Sequence, residues 1–227
     1  MRIVMVNFSD LVGGAARAAF RLHNALLTEN IDSKFIVQQK ISDQASVLGP
    51  ETKINKTMSY VLPYIDKITL LRYPKKMPFY SPARFGSKEI IDRINSLKPD
   101  IVHLHWIYKG MIKFSDIRKI RAPIVWSFHD MWAFTGGCHY DMFCNGYKKQ
   151  CGHCKVLGSN RFRDFSNINF KHKAAIYNSL PKITFVCLSK WLMNCASEST
   201  LLKGHNIINL PNPIDTSVFK PIDKLTA

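Results

Sequence analysis

The alternation of short apolar runs with stretches of helical periodicity is what most constrains this chain. Residues 2–7 (Arg-Ile-Val-Met-Val-Asn) are apolar, too few for a helix, and followed by polar, turn-forming residues, so they read as a buried strand. Gly13 and Gly14 then open a helix in which Ala15, Ala18, Ala19, Leu22 and Leu26 mark one face, with Arg17, Arg21 and Asn24 off it. The same patterning predicts strands at 34–38, 101–105, 124–128, 183–187 and 205–209. It predicts helices at 89–97, about 109–120, near 170–178 and from about 190. Residues 40–86, with five prolines around an apolar and basic middle, show no clear period. Strands alternating with helices predict an α/β fold, a Rossmann-like open, mostly parallel sheet with helices on both faces.

With 227 residues, 46% of them hydrophobic, the chain can bury one sizeable core of this kind. The expected domain covers 1–209 with a cysteine-rich loop, 138–154, inserted in it. Residues 210–227, beginning Leu-Pro-Asn-Pro-Ile-Asp, read as an exit linker. No run of about 18 apolar residues is present, so no spanning helix is predicted. Residues 1–8 read as a strand rather than a signal peptide, which makes a cytoplasmic location the default. Lys and Arg outnumber Asp and Glu by 32 to 16, a net charge of +16. Such an excess favours nucleic acid, an anionic membrane surface or phosphorylated small molecules as partners. It is concentrated at 67–88 and at 142–163, which have no acidic residue; a solvated basic face is the plain alternative for each.

In a parallel sheet, ligands sit beyond the carboxyl ends of the strands, so those ends carry the functional information. Gly13-Gly14 at a helix N-terminus is either a tight turn or an oxyanion cradle, with Arg17 one turn in as a charged fork. A dinucleotide fingerprint is excluded: G-x-G-x-x-G is missing, and Gln38 and Gln39 stand where an acidic residue is needed. His129-Asp130 directly follows a predicted strand, where an imidazole can donate to a hydroxyl or a departing phosphate. His103 and His105 share one face of their strand, and His105, at its end, is the better placed to reach the crevice.

Cys138, Cys144, Cys151 and Cys154 give C-x5-C-x6-C-x2-C, with His139 and His153 alongside. Four thiolates ending in a C-x-x-C knuckle suit a closed, structural zinc site; free thiols or conditional disulfides are the other readings. Cys187 and Cys195 read as buried and inert.

Taken together, Gly13-Gly-Ala-Ala-Arg17, Asp100-Ile-Val-His-Leu-His-Trp106, Phe128-His-Asp-Met-Trp132, Thr135-Gly-Gly-Cys-His-Tyr140, Leu188-Ser-Lys-Trp191 and Leu210-Pro-Asn-Pro-Ile-Asp215 resemble the family 4 glycosyltransferases. The likeness is to the N-terminal, acceptor-side domain of their GT-B fold, in a bacterial polysaccharide-synthesis branch of the colanic-acid type. It implies transfer of a sugar from a nucleotide-sugar to a saccharide or lipid-linked acceptor, with retention and without a catalytic metal. It implies that Gly13 and Gly14 face the donor diphosphate, which makes Arg17 a donor-side candidate beside them, and that His129 contacts the transferred sugar. Asp10, His105, Trp106 and Asp130 become acceptor-side candidates. It also implies a C-terminal donor-binding domain that this sequence does not contain, so that the chain alone would not turn over. An anionic membrane is the expected neighbour of a basic, aromatic stretch comprising Lys67, Arg72, Lys75, Lys76 and Arg84 with Tyr73, Phe79 and Tyr80. The rival readings are a non-catalytic saccharide- or polyprenyl-binding module and, more weakly, a zinc-containing nucleic-acid-binding protein, for which no recognition helix or RNA-binding signature is found.

Overall fold

β1 (Arg2–Ser9) is buried without a break from Ile3 to Asn7, as a strand flanked on both edges and covered on both faces must be. Its side chains alternate between two cores. Ile3 and Met5 pack with Ala19 of α1 (Gly14–Thr28) and with Phe35 and Val37, whereas Val4 and Val6 pack with Ile90, Ile91 and Ile94 of α3 (Lys88–Ser96). Each such side chain taken fully out of water contributes about 1.5–3 kcal/mol. The computed structural model describes residues 1–74, 79–180, 183–216 and 218–222.

Among these residues β1 is joined by β2 (Asp32–Gln39), β3 (Val47–Leu48), β4 (Ile101–Leu104), β5 (Ile124–Phe128), β6 (Ile183–Cys187) and β7 (Asn206–Asn209). They form one sheet in the order β3-β2-β1-β4-β5-β6-β7, parallel at every pairing. The chain winds outward from β1 through β2 and β3, then returns to add β4 on β1's other edge. That reversal opens a crevice at the carboxyl ends of β1 and β4. The predicted open parallel α/β sheet is therefore the fold observed.

Three elements differ from the expected pattern. No α-helix spans 109–120. Lys109 and Gly110 both have positive φ, 54° and 72°, which stops a right-handed helix at once. Gly110 lies so close to Leu62 that a Cβ there would sit 2.5 Å from the Leu62 carbonyl carbon. Only a short 3₁₀ turn, Phe114–Lys119, follows. The uninterpreted stretch 40–86 holds β3 and a long helix, α2 (Lys53–Ile68), with Pro63 inside it. Proline cannot serve the carbonyl four residues back, and Gln38 does so instead, its Nε2 donating to the Ser59 oxygen at 2.9 Å. Lastly, α4 (Phe165–Tyr177) begins five residues before the predicted start, because Asp164 caps it by accepting from Asn167 N at 3.1 Å. α5 (Lys190–Ser197) is capped likewise by Ser189.

The cysteine-rich stretch is folded into the body of the domain. Cys138 bridges antiparallel to Tyr80, His139 N donates to Phe79 O at 2.8 Å, and Met131 N donates to His139 O at 2.9 Å. Lys173 of α4 secures it from beneath, donating to Trp132 O and to Thr135 O and lying 3.3 Å from the centre of the Trp132 ring. Burial lowers the Lys173 pKa to about 7 against the opposing pull of Cys138, Cys151 and Asp130. Residues 210–216 run on from β7 largely exposed, and Phe219 lies beneath Arg21 of α1, 5.6 Å from guanidinium to ring centre. Residues 223–227 of the proposed linker lie outside the described residues.

Candidate functional site

The crevice at the switch point is an open cleft of about 490 Å³. It is lined by the β1–α1 turn with Gly13 and Gly14 and by His129 and Tyr140, and Asn7 and Trp106, at the ends of β1 and β4, form its floor. A second opening, of about 430 Å³, shares Gly14, His129, Asp130 and Tyr140 and runs on toward Ser189 and Trp191. His129 thus lines both openings, together with Gly14, Ala15, Asp130 and Tyr140.

Gly13 caps α1 with φ 93°, a conformation that any side chain would strain. A Cβ added at either Gly13 or Gly14 would meet nothing within 4 Å. Nothing inside the protein therefore needs Gly14 to be small, and the groove beside the first turn of α1, with its free N–H groups, is left open. Arg17 is exposed on the following turn and lines neither opening.

Asp130 is the hub of the floor. Its Oδ2 accepts from Trp106 Nε1 at 3.0 Å and from His139 Nδ1 at 2.6 Å, and its Oδ1 accepts from Trp132 N at 2.8 Å. His139 Nε2 lies 2.9 Å from Ser81 Oγ. The His139 ring stacks on Trp106 at 5.6 Å and 19°, and Trp106 N is fixed by Asn7 Oδ1 at 2.8 Å. These contacts hold the half-buried Trp106 ring as a rigid platform lining the cleft. Above it, the Lys109 ammonium lies 5.1 Å from the Trp106 ring and 5.8 Å from that of Phe8. Partial burial, with Lys67 nearby, pulls the Lys109 pKa down.

Of the acceptor-side candidates, Trp106 and Asp130 line the cleft, although Asp130 spends both oxygens inside the protein. Asp10 does not reach it. Wholly buried, its carboxylate accepts from Ile41 N at 3.0 Å and Ser42 N at 2.8 Å and holds the turn after β2. His105 does not reach it either. β4 ends at Leu104, and His105 is sealed behind His129, its Nδ1 3.0 Å from His129 Nε2. Being nearer the strand's end puts it beneath the histidine that faces the cleft. Burial holds the pKa of His129 at about 4 despite Asp130 beside it, so the imidazole is neutral near pH 7. Phe79, Lys109, His139 and Tyr140 also line the cleft; no strand-end position marks them in the sequence, where His139 reads with the cysteines although it lies in the Thr135–Tyr140 motif.

Cys138, Cys151 and Cys154 are buried and Cys144 is exposed. Burial pushes the Cys138 thiol well up and Cys151 up to about 12, and Gly136 N donates to Cys151 Sγ at 3.2 Å. Among the described residues no group of three or more His, Cys, Asp or Glu side chains is arranged to hold a metal ion, so the zinc reading finds no support in the side-chain arrangement.

The basic, aromatic stretch is dispersed by the fold. Tyr80 is buried, its hydroxyl donating to Gly136 O, and Tyr73 accepts from Phe165 N. Arg72 and Arg84 both lie over the Phe165 ring, Phe79 lines the cleft, and Lys75 and Lys76 lie outside the described residues. Among the described residues no helix is long and apolar enough to cross a membrane.

Comparison with known proteins agrees with this architecture. A protein of Escherichia coli strain K12 that bears the name of a colanic acid biosynthesis glycosyl transferase, WcaC, is 24% identical over 170 residues. That match takes in 70% of this chain and 40% of WcaC, so the chain spans less than half the length of the relative it matches. The sequence model of Glycosyltransferase Family 4 matches residues 12–218, nearly the whole chain from the first turn of the cleft to beyond β7. The chain belongs to glycosyltransferase family 4.

Proposed function

We propose that this chain forms the acceptor-side half of a glycosyltransferase of polysaccharide biosynthesis, which moves a sugar from a nucleotide-sugar to a saccharide or lipid-linked saccharide. The observation that carries the proposal is the pair of openings that share Gly14 and His129, with the open first turn of α1 lining both and Trp106 lining the larger. Free N–H groups at a helix N-terminus favour a diphosphate, and Gly14 leaves room for it to approach. An aromatic face held rigidly by Asn7, Asp130 and His139 suits the apolar side of a sugar ring. Lys109 over that platform supplies a positive charge for a phosphate-linked acceptor.

In this scheme the donor's base and ribose are gripped by a second domain across the groove. The anomeric configuration is retained because the acceptor attacks from the side on which the phosphate leaves. No side chain is assigned as a nucleophile, and no metal takes part in the proposed chemistry. An anionic membrane face, where lipid-linked acceptors reside, is the proposed working surface.

The test is nucleotide release from UDP-, GDP- and dTDP-sugars by the polypeptide of the complete reading frame, with membrane lipid as acceptor. Turnover with one donor class, falling about 100-fold (~2.7 kcal/mol) in His129→Ala, is the expected outcome. Turnover unaffected by His129→Ala, or none with any donor, would count against the assignment. The anomeric coupling of the product checks retention separately.

A further inference from the structure

Behind the cleft, three imidazoles run into the sheet. His129 Nε2 and His105 Nδ1 are 3.0 Å apart, so they share a single proton. The His105 and His103 rings lie 4.3 Å apart at 30°, and His103 Nε2 is 2.8 Å from Ser127 Oγ. His105 is 2% exposed, and its Nε2 is one of three buried side-chain atoms among the described residues without a hydrogen-bond partner, with Gln38 Oε1 and Ser42 Oγ.

The shared proton can belong to either ring, and the orphaned nitrogen decides which. If His129 Nε2–H were the donor, neutral His105 would carry its own proton on Nε2, as a buried N–H with no acceptor. If His105 Nδ1–H is the donor, Nε2 is only a bare lone pair. Orphaned buried N–H groups are rarer than under-satisfied acceptors, which favours the second arrangement. A doubly protonated His105 would put a charge in a sealed, apolar site; burial, with His103 and His129 nearby, holds its pKa well below the ordinary value.

We propose that His105 is a positioning residue: it donates through Nδ1–H to His129 Nε2 and holds His129 as the Nδ1–H tautomer. A free imidazole prefers its proton on Nε2, so His129 is held against its intrinsic preference. Among the described residues His129 Nδ1 has no protein partner, and it is not among the buried unpartnered atoms, so it is the nitrogen left to a ligand. As an N–H it donates to an oxygen; as a bare nitrogen it could only accept. Under the function proposed above, on which this clause rests, His129 therefore donates to a sugar or phosphate oxygen in the groove, and His105 sets that polarity.

The experiment is two-bond ¹H–¹⁵N correlation of the 227-residue chain labelled with ¹⁵N-histidine at pH 7.5, the His129 ring being assigned by its loss in His129→Gln. Expected is a His129 pattern with Nδ1 protonated and Nε2 bare. In His105→Phe the pattern reverts to Nε2–H. In His105→Asn, whose amide N–H stands close to the original Nδ1–H, the Nδ1–H form is kept. A wild-type His129 protonated on Nε2, or a pattern unchanged in His105→Phe, overturns the proposal. Should the Phe variant not fold, the wild-type spectrum and the Asn variant still decide it. In the turnover assay, His105→Phe should lower kcat about 10-fold with little change in KM, and His105→Asn should restore it. The spectrum needs no turnover, so the tautomer and the transferase assignment can fail separately.

Discussion

His23, His103 and His129 are each held near pKa 4, chiefly by burial, with Lys34 adding to the effect on His23 and His129 to that on His103. His23 is fully enclosed between Ser33 Oγ at 2.7 Å and Ser46 Oγ at 2.8 Å, where a neutral ring can both donate and accept. A folded-state pKa below the unfolded value of 6.5 means that the unfolded chain takes up protons the folded one refuses. Stability is then complete above pH 6.5 and is lost as pH falls from 6.5 toward 4. For His23 alone the loss between pH 6.5 and 5 is about 2 kcal/mol; His103, His105 and His129 titrate as a coupled group and add to it less than independently. Urea midpoints measured from pH 7.5 to 5 should fall steadily below pH 6.5. A midpoint flat across that range would show that these rings protonate in the folded state. At this scale the site was only partly legible in the sequence. Gly13, Gly14 and His129 stand at strand ends, so the topology of any parallel sheet brings them to the crevice. Phe79 and His139 arrive through the Tyr80–Cys138 bridge, a contact between segments 58 residues apart that no local pattern announces. His105 shows the opposite hazard: the sequence places it last in its strand and so nearest the crevice, but β4 ends at Leu104 and the ring lies behind His129.

Among the elements, α1 bears most directly on function, because its first turn is open on the cleft side. Gly13 and Gly14 differ in what they require. Gly13 has φ 93° and needs glycine for its backbone, whereas Gly14 has ordinary helical geometry and free space where a Cβ would go. In Gly14→Ala, stability should hold or rise slightly, since alanine is the better helix former by up to about 1 kcal/mol away from the termini. The added methyl would nonetheless stand in the path proposed for the diphosphate. KM for the nucleotide-sugar is expected to rise about 10-fold, or ~1.4 kcal/mol, with the thermal midpoint unchanged or higher. An unchanged KM would take the diphosphate away from this turn. The elements themselves were legible wherever periodicity is local, as in β1, α1, β5 and β6. α2 was hidden because Pro63 reads as a breaker, and only the tertiary bond from Gln38 to Ser59 O makes it tolerable. The helix expected at 109–120 fails for the converse reason. Its apolar spacing suits a helix, but close packing of Gly110 on Leu62 holds the backbone left-handed at its start.

At the scale of the whole molecule, a net charge of +16 is what the proposed anionic surface would answer, and the fold disperses much of the 67–88 stretch that first suggested it. With Tyr80 buried and Arg72 and Arg84 lying over Phe165, the proposed membrane contact moves to the outer face of α2. Ile54, Val61, Tyr64, Ile68 and, just beyond the helix, Leu71 are exposed there, and Lys53, Lys56 and Lys67 are exposed on the same helix. Apolar side chains on a helix with basic neighbours are what an interfacial helix needs: the former enter the headgroup boundary while the ammonium groups stay in water. α2 also borders the groove, since Tyr64 and Lys67 line a pocket with Phe8 and Lys109. A membrane beneath α2 would therefore present headgroups beside the Trp106 platform. At about 1 kcal/mol per basic residue near an anionic surface, three lysines supply roughly 3 kcal/mol, enough for a more than 100-fold preference over neutral lipid. Sedimentation with vesicles of phosphatidylglycerol and phosphatidylcholine should show that preference at low salt and its loss as salt is raised. Replacing Tyr64 and Ile68 by glutamate places two negative charges on an already exposed face, so the fold should survive while binding is lost. Equal binding of this variant and the wild type, or no binding to anionic vesicles at low salt, would remove α2 as the docking face and leave the charge to be explained by soluble phosphorylated ligands.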